Sequence, residues 1–219
     1  MKVSDVQLQF IDAQLSLVSC NGLSNIIETK DPKLLSILFW NPIVDEEITL
    51  LCPNHMKTLQ ATGKWAKMGD KKPPRLLYGM GENVLLISAL YLCPGCGATS
   101  PFLAHHPDLM SQLPLTKPPP FQLFLKSGVT RMAYDEIVNA TLAGTSFSGQ
   151  AAIFERSHGL HIGLYGEEAA QQDKHKSPSN DFIMAVFMFD FKLRLPYYER
   201  TMMEIQPHMI SIDHTFKLR

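Results

Sequence analysis

Long apolar segments are missing from this sequence of 219 residues. No run of 18 or more apolar residues occurs, so a transmembrane helix is not expected. The first residues, MKVSDVQLQFIDAQLSL, place Asp5 and Asp12 among the apolar side chains and lack the continuous apolar core of a signal peptide. We therefore expect an intracellular protein in a reducing compartment, without membrane contact.

An excess of charge of either sign is also missing. The sequence has 20 Lys and Arg residues against 21 Asp and Glu residues, for a formal net charge of -1. The chain as a whole therefore has no electrostatic preference for nucleic acid, and any such surface must be a local patch. Hydrophobic residues make up 45% and charged residues 19% of the chain, which excludes a disordered, highly charged class.

The common phosphate-binding and hydrolase motifs do not occur. The sequence contains no P-loop, GxGxxG, GxSxG or HExxH pattern. These patterns mark nucleotide-binding loops, the nucleophile of serine hydrolases and zinc proteases, so none of these activities is indicated.

Cysteine is scarce, but three of the four cysteines fall into two short motifs. YLCPGCGATS contains Cys93 and Cys96, and LLCPNHMKTL contains Cys52 with His55 at the position of a second ligand. Two intervening residues let both members of a pair turn toward one tetrahedral ion. In a reducing compartment, clustered cysteines are typical of metal sites rather than disulfides. The sequence therefore predicts one structural zinc ion bound by Cys52, His55, Cys93 and Cys96.

Alternatives to this ligand set stay open from the sequence alone. His105 or His106 follows the second motif closely and could replace His55 as the fourth ligand. A thioredoxin-like redox role for CPGC is disfavoured, because no βαβ pattern surrounds it. Cys20 stands apart from both motifs and is expected to be an ordinary buried thiol.

A basic segment separates the two half-sites. HMKTLQATGKWAKMGDKKPPR carries six Lys and Arg residues, one acidic residue and a tryptophan. Basic side chains neutralise phosphates, and an aromatic ring can stack on a base. A solvated hairpin with a packed tryptophan is an equally good interpretation. The candidate nucleic-acid-binding residues are Lys64, Trp65, Lys67, Lys71, Lys72 and Arg75.

Proline-rich and polar stretches divide the chain into four predicted segments. They are an N-terminal segment (1–46), a zinc ribbon (47–114), a helical region (115–175), and a long helix with a short terminal strand (176–219). The predicted fold class is therefore α+β, with zinc-ribbon β-hairpins followed by a mainly helical region and a short terminal strand.

Two stretches of the second half predict helices. RMAYDEIVNATLAG has helical spacing and ends at Gly144, and Thr145 or Ser146 can cap a following helix, which together resemble a helix-turn-helix. NDFIMAVFMFDFKLRLPYYERTMMEI is a long apolar helix candidate that contains Pro196.

The order of these motifs has a counterpart in a known family. The order is a Cys-Pro knuckle, GKW, YLCPGC, DLMSQLP, PFQLFL, LAGTSFSGQAAIFERSH and ISIDHTFK, over roughly residues 40 to 219. It resembles the N-terminal zinc-ribbon region of DDE-type (RNase H-like) transposase-like proteins of eukaryotic mobile elements. His55 departs from the cysteine that is usual in the family. The resemblance implies a nuclear, transposase-derived module that binds DNA through its zinc-ribbon region.

The same resemblance bears on catalysis. SIDHTFK is similar to the first strand of the family's catalytic core, which implies a catalytic, metal-binding role for Asp213 only. The later acidic residues have no counterpart here, so the chain is expected to be catalytically incomplete, as a truncated or domesticated transposase. Mg²⁺ is expected only in a full-length core. An alternative function is a zinc-stabilised protein-interaction module without DNA contact.

Overall fold

The computed structural model describes residues 7, 9–11, 13–14, 25–28, 34–44, 48–66, 74–96, 101–125, 127–165 and 176–204. Within these residues, strands predominate in the first part and helices in the second, which confirms the predicted α+β class. None of the described helices is both long enough and apolar enough to serve as a transmembrane segment.

The described strands belong to one mixed sheet. They are β1 (Asn25–Ile27), β2 (Ser36–Trp40), β3 (Gln60–Trp65), β4 (Arg75–Tyr78), β5 (Val84–Leu92), β6 (Phe102–Leu103), β7 (Phe121–Leu123) and β8 (Gly128–Thr130). The main order is β1-β2-β5-β4-β8-β7, and β3 and β6 also pair with β5. The β2–β5 and β4–β8 pairs are parallel, and the other pairs are antiparallel.

Strand β5 is the centre of this sheet. Its sequence, VLLISALYL, is a nearly continuous apolar run, as expected for a strand that is covered on both faces. A tight turn through Gly79 connects β4 to β5, and a Cβ atom at this position would lie only 2.1 Å from the Glu82 carbonyl oxygen. Glycine is therefore required for the turn. The strand ends directly before Cys93, so the most buried strand delivers the second half-site.

The described helices are α1 (Pro107–Met110), α2 (Arg131–Leu142), α3 (Phe147–Tyr165) and α4 (Asn180–Glu204). Gly144 ends the turn after α2 with a left-handed φ of 88°, and the Ser146 hydroxyl accepts a hydrogen bond of 3.1 Å from the Gly149 amide. The predicted stop and the predicted cap at Ser146 are therefore confirmed. The long apolar helix is also confirmed, and it continues through Pro196.

The sheet is continuous across the predicted segment boundaries. Strand β2 belongs to the segment 1–46 but pairs with β5, and β4 pairs with β8 from the segment 115–175. The predicted zinc ribbon thus shares its sheet with both neighbouring segments. The predicted terminal strand and Asp213 lie outside the described residues.

Candidate metal centre

The first half-site is the tip of a tight hairpin. The amide of Leu59 donates to the carbonyl of Leu50 at 2.9 Å, and the amide of Cys52 donates to the carbonyl of Lys57 at 2.8 Å. Met56 adopts a left-handed φ of 52°, and its amide donates to the carbonyl of Cys52 at 2.9 Å. This turn brings His55 back over Cys52.

The second half-site is a turn at the end of β5. The amide of Cys96 donates to the carbonyl of Cys93 at 3.1 Å, which closes the turn. The amide of Gly95 points at the Cys93 sulfur at 3.3 Å. Hydrogen bonds of this kind favour a thiolate, which is the form of cysteine that binds a metal.

Strand pairing and one glutamine side chain bring the two half-sites together. In the β3–β5 ladder, Gln60 lies opposite Leu92, so the exit of the hairpin is next to the end of β5. The side chain of Gln112 accepts from the Leu51 amide at 2.8 Å and donates to the Leu51 carbonyl at 3.0 Å. The sequence offered no sign of this role for Gln112, because the contact joins residues 61 positions apart.

The four predicted ligands have the spacing of a tetrahedral metal site. The Cys52 and Cys96 sulfurs are 3.6 Å apart, and the His55 Nδ1 atom lies 3.2 Å from the Cys96 sulfur and 3.8 Å from the sulfurs of Cys52 and Cys93. Zn–S bonds of about 2.3 Å and Zn–N bonds of about 2.0 Å in tetrahedral geometry require ligand separations of about 3.5–3.8 Å. The observed set fits one such ion.

Gly95 makes room for the histidine ring. A Cβ atom at residue 95 would lie 2.9 Å from His55 Cγ and 3.3 Å from His55 Nδ1. Any larger residue would therefore push the imidazole away from the sulfurs. The sequence indicated only a tight turn at this position, and the contact with His55 adds a second reason for glycine.

The local environment separates the pKa values of two ligand thiols. Burial raises the pKa of Cys93, but hydrogen bonds from the Gly95 amide and the Cys52 thiol outweigh this effect and bring it to about 7. Burial raises the pKa of Cys96, and the neighbouring Cys52 and Cys93 raise it further, to about 11. A divalent ion would replace the proton on each sulfur that it binds.

The two alternative histidines have other partners. His105 Nδ1 lies 2.5 Å from the Ser88 hydroxyl. His106 accepts a hydrogen bond of 3.4 Å from the Asp108 amide and so caps α1. The described residues that form the cluster are Cys52, His55, Cys93 and Cys96, so His55 is the fourth member.

Two candidate nucleic-acid-binding residues are part of the fold itself. Trp65 is only 7% exposed and packs edge-on against Phe39, with ring centroids 5.1 Å apart. The prediction that Trp65 stacks on a base is therefore wrong, because both ring faces are inside the core. The half-buried Arg75 guanidinium donates to the carbonyls of Phe124 and Ser127, and burial lowers its pKa. Arg75 therefore holds the β7–β8 turn.

The remaining predicted residues divide between exposed and undescribed positions. Lys64 is exposed on β3, where it can meet a ligand in solution. The residues Lys67, Lys71, Lys72 and Asp213 lie outside the described part of the chain.

The geometry of the cluster is the clearest functional feature of the described residues. Its four ligand atoms all lie within 4.8 Å of one another and could bind a metal such as zinc. In comparisons with protein-family models, curated proteins and solved structures, nothing matches this chain.

Proposed function

We propose that the chain is a zinc-stabilised nucleic-acid-binding module, without catalytic activity of its own, of the transposase-derived kind that its motifs resemble. One observation carries the zinc part, which is the convergence of three sulfurs and one imidazole nitrogen from two distant segments. Four protein ligands complete a tetrahedral shell and leave no position for a reactive water. The ion is therefore structural, and it fastens the 50–59 hairpin to the end of β5.

Native mass spectrometry of the purified chain tests the zinc assignment. We expect one zinc ion per chain in the parent and none in Cys93→Ser, which lacks one ligand. Cys20→Ser is the control and should keep its zinc, because Cys20 lies in neither motif. A parent protein without zinc after refolding with excess ZnCl₂ would refute the assignment.

The nucleic-acid part of the proposal rests on the spacer between the half-sites. Lys57 and Lys64 are exposed on the hairpin and on β3. The segment that follows adds Lys67, Lys71 and Lys72. Since Trp65 is buried, the proposed contact is electrostatic, with phosphates rather than with stacked bases.

Fluorescence anisotropy with labelled duplex and single-stranded DNA tests this contact over a range of salt concentrations. The Lys67→Gln, Lys71→Gln, Lys72→Gln triple variant should bind more weakly, and its salt dependence should flatten by about 0.9 per lost contact with duplex phosphates. A second triple variant, Lys117→Gln, Lys176→Gln, Lys192→Gln, removes the same charge elsewhere and should bind like the parent. Equal losses in both variants would contradict a local site.

The alternative function, protein interaction without DNA contact, is supported by a different observation. Helix α4 exposes large apolar side chains, among them Met184, Phe191 and Leu195. Failure of the parent to bind either DNA while it still binds zinc would select this alternative.

A further inference from the structure

Helix α4 carries an exposed apolar stripe with a regular spacing. Met184, Met188, Phe191 and Leu195 are 44%, 42%, 38% and 36% exposed, and the partly exposed Tyr198 follows them. Their separations along the chain are four, three, four and three residues. This alternation is the spacing of the a and d positions of a coiled coil, and a stripe at this spacing forms a straight seam along one side of a helix. These five residues are called the α4 seam below.

The α4 seam faces away from the protein's own core. The opposite side of the helix contributes Ile183 and Val186 to the core that α2 and α3 share with α4. Asp190 on that side accepts a hydrogen bond of 2.7 Å from the Tyr134 hydroxyl, which fixes the rotation of the helix. Pro196 also lies off the seam, so its ring does not interrupt the stripe. The apolar seam is thus a second packing surface of the same helix.

Prior ordering of α4 lowers the cost of pairing. An isolated pair of helices with two and a half heptads would be marginal, because each helix must first be nucleated. Here the first half of α4 is already held by contacts with α2 and α3. A partner helix therefore gains the apolar contacts of the seam without that nucleation cost.

We propose that the α4 seam pairs with the α4 seam of a second copy of this chain, as a parallel two-stranded coiled coil. Charges beside the seam favour this occupant and this direction. In parallel register Arg194 lies beside Glu199 of the second copy, five residues further along, which is the standard opposite-charge pair of parallel coiled coils. Antiparallel pairing of Phe191 with Leu195 would instead bring Arg194 against Arg194 and Lys192 against Lys192.

Arg194 can serve this pair and its own helix together. Its Nε and Nη2 atoms bind the Asp190 carboxylate at 2.8 and 3.2 Å. A guanidinium has further N–H donors that point away from a bidentate partner. The Arg194 side chain is half exposed, so these donors can reach a carboxylate of the second copy.

Sedimentation equilibrium of the full chain with zinc tests the proposal at several concentrations. The parent should approach a mass twice 24.6 kDa as concentration rises. Leu195→Glu places a charge in the seam and should leave a monomer. Leu193→Glu is the matched control, since Leu193 is 64% exposed but off the seam, and this variant should still form dimers. Circular dichroism should show that both variants keep the parent's helix content.

Glu199→Lys tests the direction of pairing. In the parallel dimer it sets like charges together twice and should raise the dissociation constant roughly fivefold at low salt, with less effect at high salt. An unchanged constant would overturn the parallel arrangement. A parent that stays monomeric at every concentration would overturn the pairing itself, and equal dissociation by Leu193→Glu and Leu195→Glu would overturn the seam as its surface.

Discussion

The two ends of the molecule are built on separate cores that differ in how they are held. The metal end packs Phe39, Leu50 and Tyr91 around β5, and its core includes the ligands Cys52 and Cys93. The helical end has a smaller core of buried residues, which are Val129, Ala133, Tyr134, Ile137, Val138, Phe154, Ile183 and Val186. The first end depends on contacts between distant segments, whereas the second depends on three helices that follow one another in the chain.

This difference teaches where each end is vulnerable. In the metal end, the 50–59 hairpin has few large buried side chains of its own and is attached by four ligands and by Gln112. In the helical end, no metal ligand takes part, and the Tyr134–Asp190–Arg194 contacts join α2 to α4. Damage to one end should therefore leave the other end largely intact, and four measurements test this expectation.

The largest effect should come from removal of the metal. Chelation of zinc, or Cys93→Ser, should destabilise the metal end by about 5 kcal/mol or more, because binding free energy of structural zinc is folding free energy. Amide hydrogen exchange should show loss of protection in the 50–59 hairpin, with α2 protected as before. Protection of the hairpin should return when zinc is added back to the chelated protein. Simultaneous loss of protection in α2 would show that the two ends are one cooperative unit.

Phe154→Ala should give the next largest effect, in the helical end. Phe154 is fully buried among α2, α3 and α4, and its truncation should cost about 3–5 kcal/mol. Chemical denaturation monitored by circular dichroism measures this cost, and the zinc content should stay at the parent level. Ile153→Ala, at the neighbouring exposed position, is the control and should be nearly neutral. Zinc loss in Phe154→Ala would contradict the separation of the two cores.

Gly95→Ala should weaken the metal site without unfolding the protein. The added Cβ would press on the His55 ring, so we expect zinc affinity to fall by about tenfold, which corresponds to about 1.4 kcal/mol. Competition with a chromophoric chelator measures the affinity. Gly144→Ala is the control from the helical end, where a left-handed φ of 88° makes alanine strained but the metal is untouched. Unchanged affinity in Gly95→Ala would mean that His55 does not need this space.

Met56→Gly should give the smallest effect, and it should be stabilising. Met56 has a left-handed φ of 52° and an exposed side chain, so glycine relieves backbone strain at little cost in packing. We expect a gain of about 0.5 kcal/mol in the zinc-bound form, measured by thermal unfolding. Met56→Ala keeps the Cβ atom and should show no such gain. A gain in both variants would assign the effect to the lost side chain rather than to the backbone.

Local patterns predicted those parts of the molecule that depend on neighbours in the chain. The stop at Gly144 and the cap at Ser146 follow from short-range backbone chemistry, and both are present. The long apolar run of α4 was also sufficient to predict a helix. In the candidate site, the two short motifs were enough to select the four ligands, because ligand type and spacing are set within each turn.

Residues between the motifs could not be assigned in the same way. Trp65 and Arg75 stand in a basic stretch, and their surroundings in the sequence are those of a surface. The pairing of β3 with β5 turns Trp65 onto Phe39, and the parallel pairing of β4 with β8 brings Arg75 to the turn that follows β7. Both contacts cross more than 20 positions of the chain, so no local pattern contains them.

The sequence by itself determined which side chains can bind a metal and which stretches form helices, because both depend on chemistry within a few residues. Only the tertiary structure decided that His55 rather than His105 completes the cluster, since the register of β3 on β5 sets which turn meets the end of β5. The tertiary structure also decided which side of α4 is buried. Apolar residues surround much of that helix, and only packing against α2 and α3 distinguishes its core from its exposed seam.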